Sequence, residues 1–277
     1  MNSFEEDLTL GMAKELAEPL KKAVSPLATE IGETLAAVWR IVFGLIGYTD
    51  ARLQARWTAN LEAYKNSLRD LVVKIPEANR IEPRLSIVGP ALEASKFYID
   101  EEFRREMFAT LIAKAMNKDT AESIQDSFVE LIKQLGTNDI EVLKYLISTN
   151  YIHNTSIWGV AYIIVYDSEE DKRKKTPYSY LIPLLFSRYS GNSDFTGALT
   201  KELLDKDTLS LNNLIRLGLF EINPTVFVLR DKRFYQVYDN SKLYKDYKEQ
   251  LGDLVELKYN SVRLTKFGLE FIKICFG

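Results

Sequence analysis

The sequence predicts a mainly α protein with a smaller α+β part: an N-terminal helical bundle over residues 1–137, then a domain mixing helix and strand over 138–277. Three observations predict it. Apolar residues recur at helical spacing through most of the first 150 residues. β-Branched and aromatic residues crowd into Ile157–Tyr166, which reads as a strand or buried segment. Hydrophobic residues make up 46% and charged residues 27% of 277 residues, ordinary globular values with room for one or two domains.

The first helices follow from their stripes. Ser25-Pro26 is a helix start, since serine caps and proline suits the first helical position. Ile31, Leu35, Val38, Trp39, Val42, Phe43 and Ile46 then form one apolar face, with Gly32, Ala36 and Gly44 on another. A spanning helix needs about 20 apolar residues, and Arg40 interrupts this run. The expectation is a buried or partner-packed helix over 31–48. The alternative is a membrane-surface or inserting helix, with Trp39, Val42 and Phe43 as candidate partner or membrane contacts. Residues 51–73 continue with Leu53, Trp57, Leu61, Tyr64, Leu68, Leu71 and Val72, and stop at Pro76.

Residues 76–146 carry the most information. They read Pro76-Glu77, Glu82-Pro83 and Gly89-Pro90-Ala91-Leu92-Glu93-Ala94-Ser95. Then come Asp100-Glu101-Glu102-Phe103-Arg104-Arg105 and the apolar run from Phe108 to Met116. Asp100 is expected as an N-cap, with Phe103, Met107, Phe108, Leu111, Ile112 and Ala115 on the helix's apolar face. Glu93, Glu102, Arg104 and Arg105 are expected on solvated faces. Ile124, Phe128, Leu131, Ile132 and Leu135 predict a second helix, with Gly136 at its C′ position. Asn138 with Glu141 has the pattern of a capping box opening a third. In order and spacing these residues resemble the bacterial abortive infection alpha (Abi-alpha) family. The resemblance extends more loosely upstream to residue 14, through Pro19-Leu20 and Glu30-Ile31-Gly32. It implies a role in phage defence, in which an infected cell stops growing or dies before the phage matures. Asp100, Phe103, Arg105 and Phe108 mark the family-motif helix. The family carries no known catalytic or ligand-binding residues to these positions.

The second half reads differently. Asp167–Lys175 is a charge run expected as an exposed loop, whose Lys172–Lys175 stretch is a weak phosphate candidate. Tyr178–Tyr189 is apolar and interrupted by Pro183. A short helix is expected over Phe195–Leu204, and a second ending in Leu209, Leu211, Leu214, Ile215 and Leu217 before Gly218. Strands are expected at Thr225–Leu229 and Leu254–Tyr259, and Val262-Arg263-Leu264-Thr265 leads into a last helix. A helix, a β-ribbon and a closing helix make this domain winged-helix-like, with 139–149 as its first helix and about 150–195 as an insertion. Its reading helix would offer Asn212, Asn213 and Arg216 to DNA or to a protein partner. Asp205 and Asp207 would repel phosphates. The chain's net charge of −3 lacks the basic excess of a nucleic-acid coat.

Chemistry is sparse. His153 and Cys275 are the single histidine and cysteine, so a zinc site of usual ligands cannot be assembled, and no disulfide can close within the chain. No phosphate loop, dinucleotide fingerprint or nucleophile elbow appears. Glu102 and Glu106 could pair on one helix face, as carboxylates on any charged helix can. The expectation is therefore a non-enzymatic protein with no catalytic residues, no metal, no cofactor and no small-molecule substrate. Glu5, Glu6 and Asp7 replace the basic start of a secretory signal, which points to the cytoplasm. Three functions compete: phage defence through protein contacts or self-association, membrane perturbation by helix 31–48, and DNA regulation by the winged-helix-like domain.

Overall fold

A computed structural model describes residues 33–44, 51–153, 157–174, 180–189, 199–222 and 232–276. The expected helix start at Ser25-Pro26, the family-like stretch before residue 33, residues 190–198 with the start of the expected helix Phe195–Leu204, and the strand Thr225–Leu229 lie outside those residues. The chain is mainly α with a smaller α+β part, as the sequence predicts. It divides into two compact units: Met1–Gln134 with Glu270–Gly277, and Leu135–Leu269.

The first unit holds α1 (Glu33–Phe43), α2 (Ala51–Val73), α3 (Leu85–Ser95), α4 (Glu102–Ala115) and α5 (Ser127–Gln134). On α2, Trp57, Tyr64, Leu68 and Val72 are buried at spacings of one and two turns, the predicted stripe. Trp39 and Phe43 of α1 stack into it, with ring centroids 5.3 Å (Trp39–Tyr64) and 6.2 Å (Phe43–Tyr64) apart. Such tilted and edge-on pairs add about 0.5–1.5 kcal/mol each beyond area burial. The outer face of α1 carries Arg40 and Ile41 instead. Helix α4 is buried nearly all round, from Met107 to Ala115, and packs on α2, α3 and α5. Helix α3 runs through Gly89-Pro90, which the sequence reading left without an element.

Two caps differ from expectation. Glu101, not Asp100, occupies the N-cap of α4, and its carbonyl accepts from Arg105 N at 2.9 Å. Helix α5 starts at Ser127, leaving Ile124 buried in the linker before it. Gly136, expected at a left-handed C′ position, is not among the described positive-φ glycines. It fronts the next helix, where its N–H donates to Asp139 Oδ2 at 2.7 Å. That is the reciprocal half of a capping box, made by Asp139 instead of Glu141.

The second unit holds α6 (Thr137–His153), β1 (Ile157–Val165), α7 (Glu169–Lys174), β2 (Tyr180–Leu185), α8 (Lys201–Arg216), β3 (Phe220–Ile222), α9 (Arg233–Asp239), α10 (Lys242–Leu251) and β4 (Val255–Leu264), and the start of α11 (Lys266–Cys275). The strands form one antiparallel sheet in the order β2-β1-β4-β3. Strand β1, from the segment read as an insertion, pairs with β4 from Ile157↔Arg263 to Val165↔Val255. Pro183 sits in the edge strand β2, where a missing N–H is tolerated. The charge run expected as a loop contains the short helix α7, closed by the Glu170–Lys174 pair. Residues 201–216, split between two expected helices, form the single helix α8, capped by Thr200. Helices α9 and α10 lie where the sequence reading had placed nothing.

Helix α8 ends in a Schellman motif: Leu219 N donates to Leu214 O at 3.0 Å, and Gly218 N to Ile215 O at 2.9 Å. Gly218 supplies the required positive φ of 75°. Thr265 then ties this turn to the start of α11. Its Oγ1 donates to Gly218 O at 2.6 Å and accepts from Gly268 N at 2.8 Å, while its N–H donates to Leu219 O at 3.0 Å. A side chain at Gly268 would run into the Leu219 carbonyl. Intrinsic helix propensity alone says that Gly268→Ala should stabilise α11 by about 1 kcal/mol. The backbone contact reverses the sign, and the expected outcome is a loss of about 2 kcal/mol, read from the urea midpoint at unchanged slope.

Candidate functional site

Three polar arrangements are candidates. The first surrounds the family-motif helix. Arg105, expected in solvent, is 8% exposed. A buried guanidinium must find acceptors. Its Nη1 donates to Ile99 O at 2.9 Å and to Asn60 Oδ1 at 3.3 Å. Asn60 in turn donates to Asp100 at 2.5 Å, and Asp100 pairs with Arg56 at 3.0 Å. Asp100 thus clasps α2 to the α3–α4 turn instead of capping α4. Arg104, also expected in solvent, lies over the Tyr98 ring at 4.4 Å and pairs with Glu101 at 3.3 Å. Glu106 accepts from Ser67 of α2. Phe108 is fully buried as predicted, but Phe103 is 44% exposed and Phe97, two residues after α3, is 73% exposed. Lys96 covers one face of the Phe97 ring at 5.1 Å.

The second arrangement joins α6 to α8. Asp207 is completely buried and meets Arg188, whose Nη2 lies 3.1 Å from Oδ1 and whose backbone N–H donates to Oδ2 at 3.0 Å. Arg188 Nη2 also donates to Asn138 Oδ1 at 3.0 Å, and Asn138 Nδ2 donates to Ser210 Oγ at 2.7 Å. Of the predicted reading residues, Asn213 donates to Asp139 at 2.7 Å and accepts from Arg216 at 2.8 and 3.0 Å. Asn212 alone projects freely into solvent. Asn213 is thus committed to a bond with α6, and the exposed Arg216 reaches back to it along α8. Burial, with the charge of Asp207 adding, pushes the Tyr145 phenol up to about 12. It is a neutral group at any physiological pH.

The third is a cleft of about 210 Å³ between the ends of α2 and α4, lined by Leu71, Lys74, Ile75, Thr110, Lys114 and Asn117 among others. Nothing in the sequence reading singled it out. Its residues come together only when α2 and α4 pack.

The remaining sequence candidates resolve by placement. Trp39 and Phe43 lie in the core, and Val42 is half-buried. Among the described residues no helix is long and apolar enough to cross a membrane, and no group of three His, Cys, Asp or Glu could hold a metal ion. His153 is the last residue of α6. Cys275 is buried in α11, and burial pushes its thiol well up, away from thiolate chemistry.

These features define a mainly helical protein whose buried charges clamp helices and turns. The chain belongs to the Abi_alpha family: the family model, described as abortive infection alpha, matches residues 56–275. The match runs through the sheet and α8–α11, well beyond the stretch 76–146 that carries the resemblance in sequence. No curated protein matches the chain. Among solved structures, an uncharacterized protein from the hydrocarbon-degrading marine bacterium Alcanivorax borkumensis SK2 is similar at 12% identity and a TM-score of 0.33, covering 58% of this chain and 96% of that one.

Removing one partner of a buried ion pair leaves the other uncompensated, at about 3–5 kcal/mol. Arg188 is partly exposed, so Asp207→Ala is expected at the low end, about 3 kcal/mol, read by urea unfolding. Asn212→Ala, by contrast, should leave the midpoint unchanged.

Proposed function

We propose that this chain is a cytoplasmic, non-enzymatic abortive-infection protein that acts through protein contacts made at the α3–α4 turn. Family membership supports the defence role. The observation that carries the contact surface is the exposure of Phe97 and Phe103 on either side of a turn that is otherwise held down. Ile99 between them is buried, and its carbonyl is bonded to Arg105. Aromatic side chains are enriched at interface centres because each buries a large area with few torsions to freeze. The clamp from Arg105, Asn60, Asp100 and Arg56 pre-orders their backbone, which lowers the entropy lost on binding.

The reading makes no use of DNA, since residues 151–277, which hold Asn212, Asn213 and Arg216, carry 18 Lys and Arg against 16 Asp and Glu and so lack a basic excess. It makes no use of a bilayer, since the apolar face of α1 is covered from within.

The test is phage infection of cells expressing the chain, at low and high phage-to-cell ratio, beside the double variant Phe97→Ser/Phe103→Ser. The expected outcome for the wild type is fewer plaques at low ratio and culture collapse at high ratio. The double variant should accumulate to the same level, melt within about 0.5 kcal/mol of wild type as surface changes do, and lose protection. Full protection by a stably folded double variant sinks the contact surface. Absence of protection by the wild type across a broad phage panel sinks the defence role for those phages.

A further inference from the structure

The cleft between the ends of α2 and α4 has the chemistry of a binding site that the defence reading does not use. Its floor is apolar, from Leu71 and Ile75, and its polar groups are Lys74, Lys114, Thr110 and Asn117. No carboxylate lines it. Among the described residues neither Lys74 nor Lys114 has an ion-pair partner within 4 Å, whereas Lys65, Lys96, Arg104 and Lys133 of the same unit are paired. Of the acidic residues closest in sequence, Asp70 pairs with Arg69 at 3.7 Å, Asp119 accepts from Asn79 at 2.8 Å, and Glu77 is exposed and not part of the lining.

Helix C-termini are the obvious objection. Both α2 and α4 end here, and the partial negative charge of their last carbonyls repels an anion and attracts lysines. Those carbonyls are already satisfied by other donors. Arg80 donates to Ile75 O at 3.0 Å and to Val73 O at 3.1 Å. Thr120 Oγ1 donates to Lys114 O at 2.6 Å, and Met116 and Asn117 take the carbonyls of Ala113 and Lys114. The dipole ends are thus neutralised by Arg80 and by the turn that follows α4, and two full positive charges remain over an apolar floor. The frame is fixed as well: Lys118 N bonds Asn79 O at 2.9 Å and Ile81 N bonds Met116 O at 2.9 Å, which pins the two linkers together.

We propose that this cleft binds a small phosphate monoester, the dianion held by Lys74, Lys114 and the Asn117 amide and its apolar body lying on Leu71 and Ile75. Two ammonium groups match a doubly charged oxyanion. The volume of about 210 Å³ lies below the roughly 300–1,000 Å³ of drug-sized sites, so the ligand is small.

The test is isothermal titration calorimetry of the full chain at low ionic strength, with phenyl phosphate as the probe and inorganic phosphate and phenol as the separate halves. The expected result is saturable binding of phenyl phosphate, about tenfold or more tighter than either half, and weaker as salt is raised. Lys74→Gln and Lys114→Gln should each weaken it about tenfold, the scale of one charged hydrogen bond. Lys114→Arg should retain it, as should Lys133→Gln on α5, whose lysine pairs with Glu130. Every variant is checked for an unchanged melting curve, and the Arg and Lys133 variants keep the test decisive if one Gln variant misfolds. No saturable heat with phenyl phosphate overturns the proposal. So does inorganic phosphate binding as tightly as phenyl phosphate, or binding that Lys74→Gln and Lys114→Gln leave untouched.

Discussion

A guanidinium taken out of water sets the terms for the first unit. Arg105 sits on the most buried helix of that unit, and α4 cannot pack as it does unless the charge is answered. Its hydrogen-bond acceptors come from outside its own helix, the Ile99 carbonyl and Asn60 of α2, with Glu106 of α4 itself 3.9 Å away. Satisfying Arg105 therefore fixes the path of the turn between α3 and α4 and the register of α2 against both. Asp100 and Arg56 continue the chain of partners to the surface, where the last pair is exposed and contributes little by itself. What matters is the order in which the constraints act. The buried group dictates the turn, and the turn dictates which side chains remain outside.

The second unit solves the same problem with the opposite sign. Asp207 is fully buried in α8, and Arg188, beyond the edge strand β2, brings both a side chain and a backbone N–H to it. Asn138 and Asp139 at the start of α6 complete the network by engaging Ser210 and Asn213. Here too a charged residue on a helix organises a segment that has no regular structure of its own. The cost is functional. Of the residues that look like a base-reading set in sequence, Asn213 is used as an internal ligand of the fold, bonded to Asp139.

Much of this was legible in sequence because it is local. The stripe of α2 follows from Trp57, Tyr64, Leu68 and Val72 alone, and β1 from the density of β-branched residues in 157–165. The family was legible from 76–146, although the match extends over 56–275. What failed was whatever depends on a partner far away in the chain. Arg105 and Phe103 are two residues apart on one helix, and their types suggest charged outside and aromatic inside. The structure reverses them, since Asn60 and Ile99 offer acceptors for Arg105 while Phe103 stays 44% exposed. Helix α3 has Gly89-Pro90 in its interior, a poor helix-forming pair, yet its neighbours Val88, Ala91 and Leu92 are buried and packing overrides propensity. Helices α9 and α10 were missed because their stretch is polar and tyrosine-rich. Tyr235 and Tyr238 are core residues only through β1 and β4: Tyr238 donates to Gly159 O at 2.8 Å and Tyr235 to Asn260 O at 3.0 Å.

The same dependence explains where function is found in such a protein. Its polar side chains divide into those with internal partners and those without. Arg105, Asp100, Asp207, Asn213 and Arg216 fall in the first group, and altering them reports on folding before it reports on anything else. Lys74 and Lys114 fall in the second, since among the described residues neither has a counter-charge within 4 Å, and beside them the apolar rings of Phe97 and Phe103 stay 73% and 44% exposed. Groups left unsatisfied on a rigid frame are those that a partner or ligand can complete without first breaking an existing interaction. The buried charges and the exposed groups are therefore linked: the first make the frame stiff, and that stiffness keeps the second available.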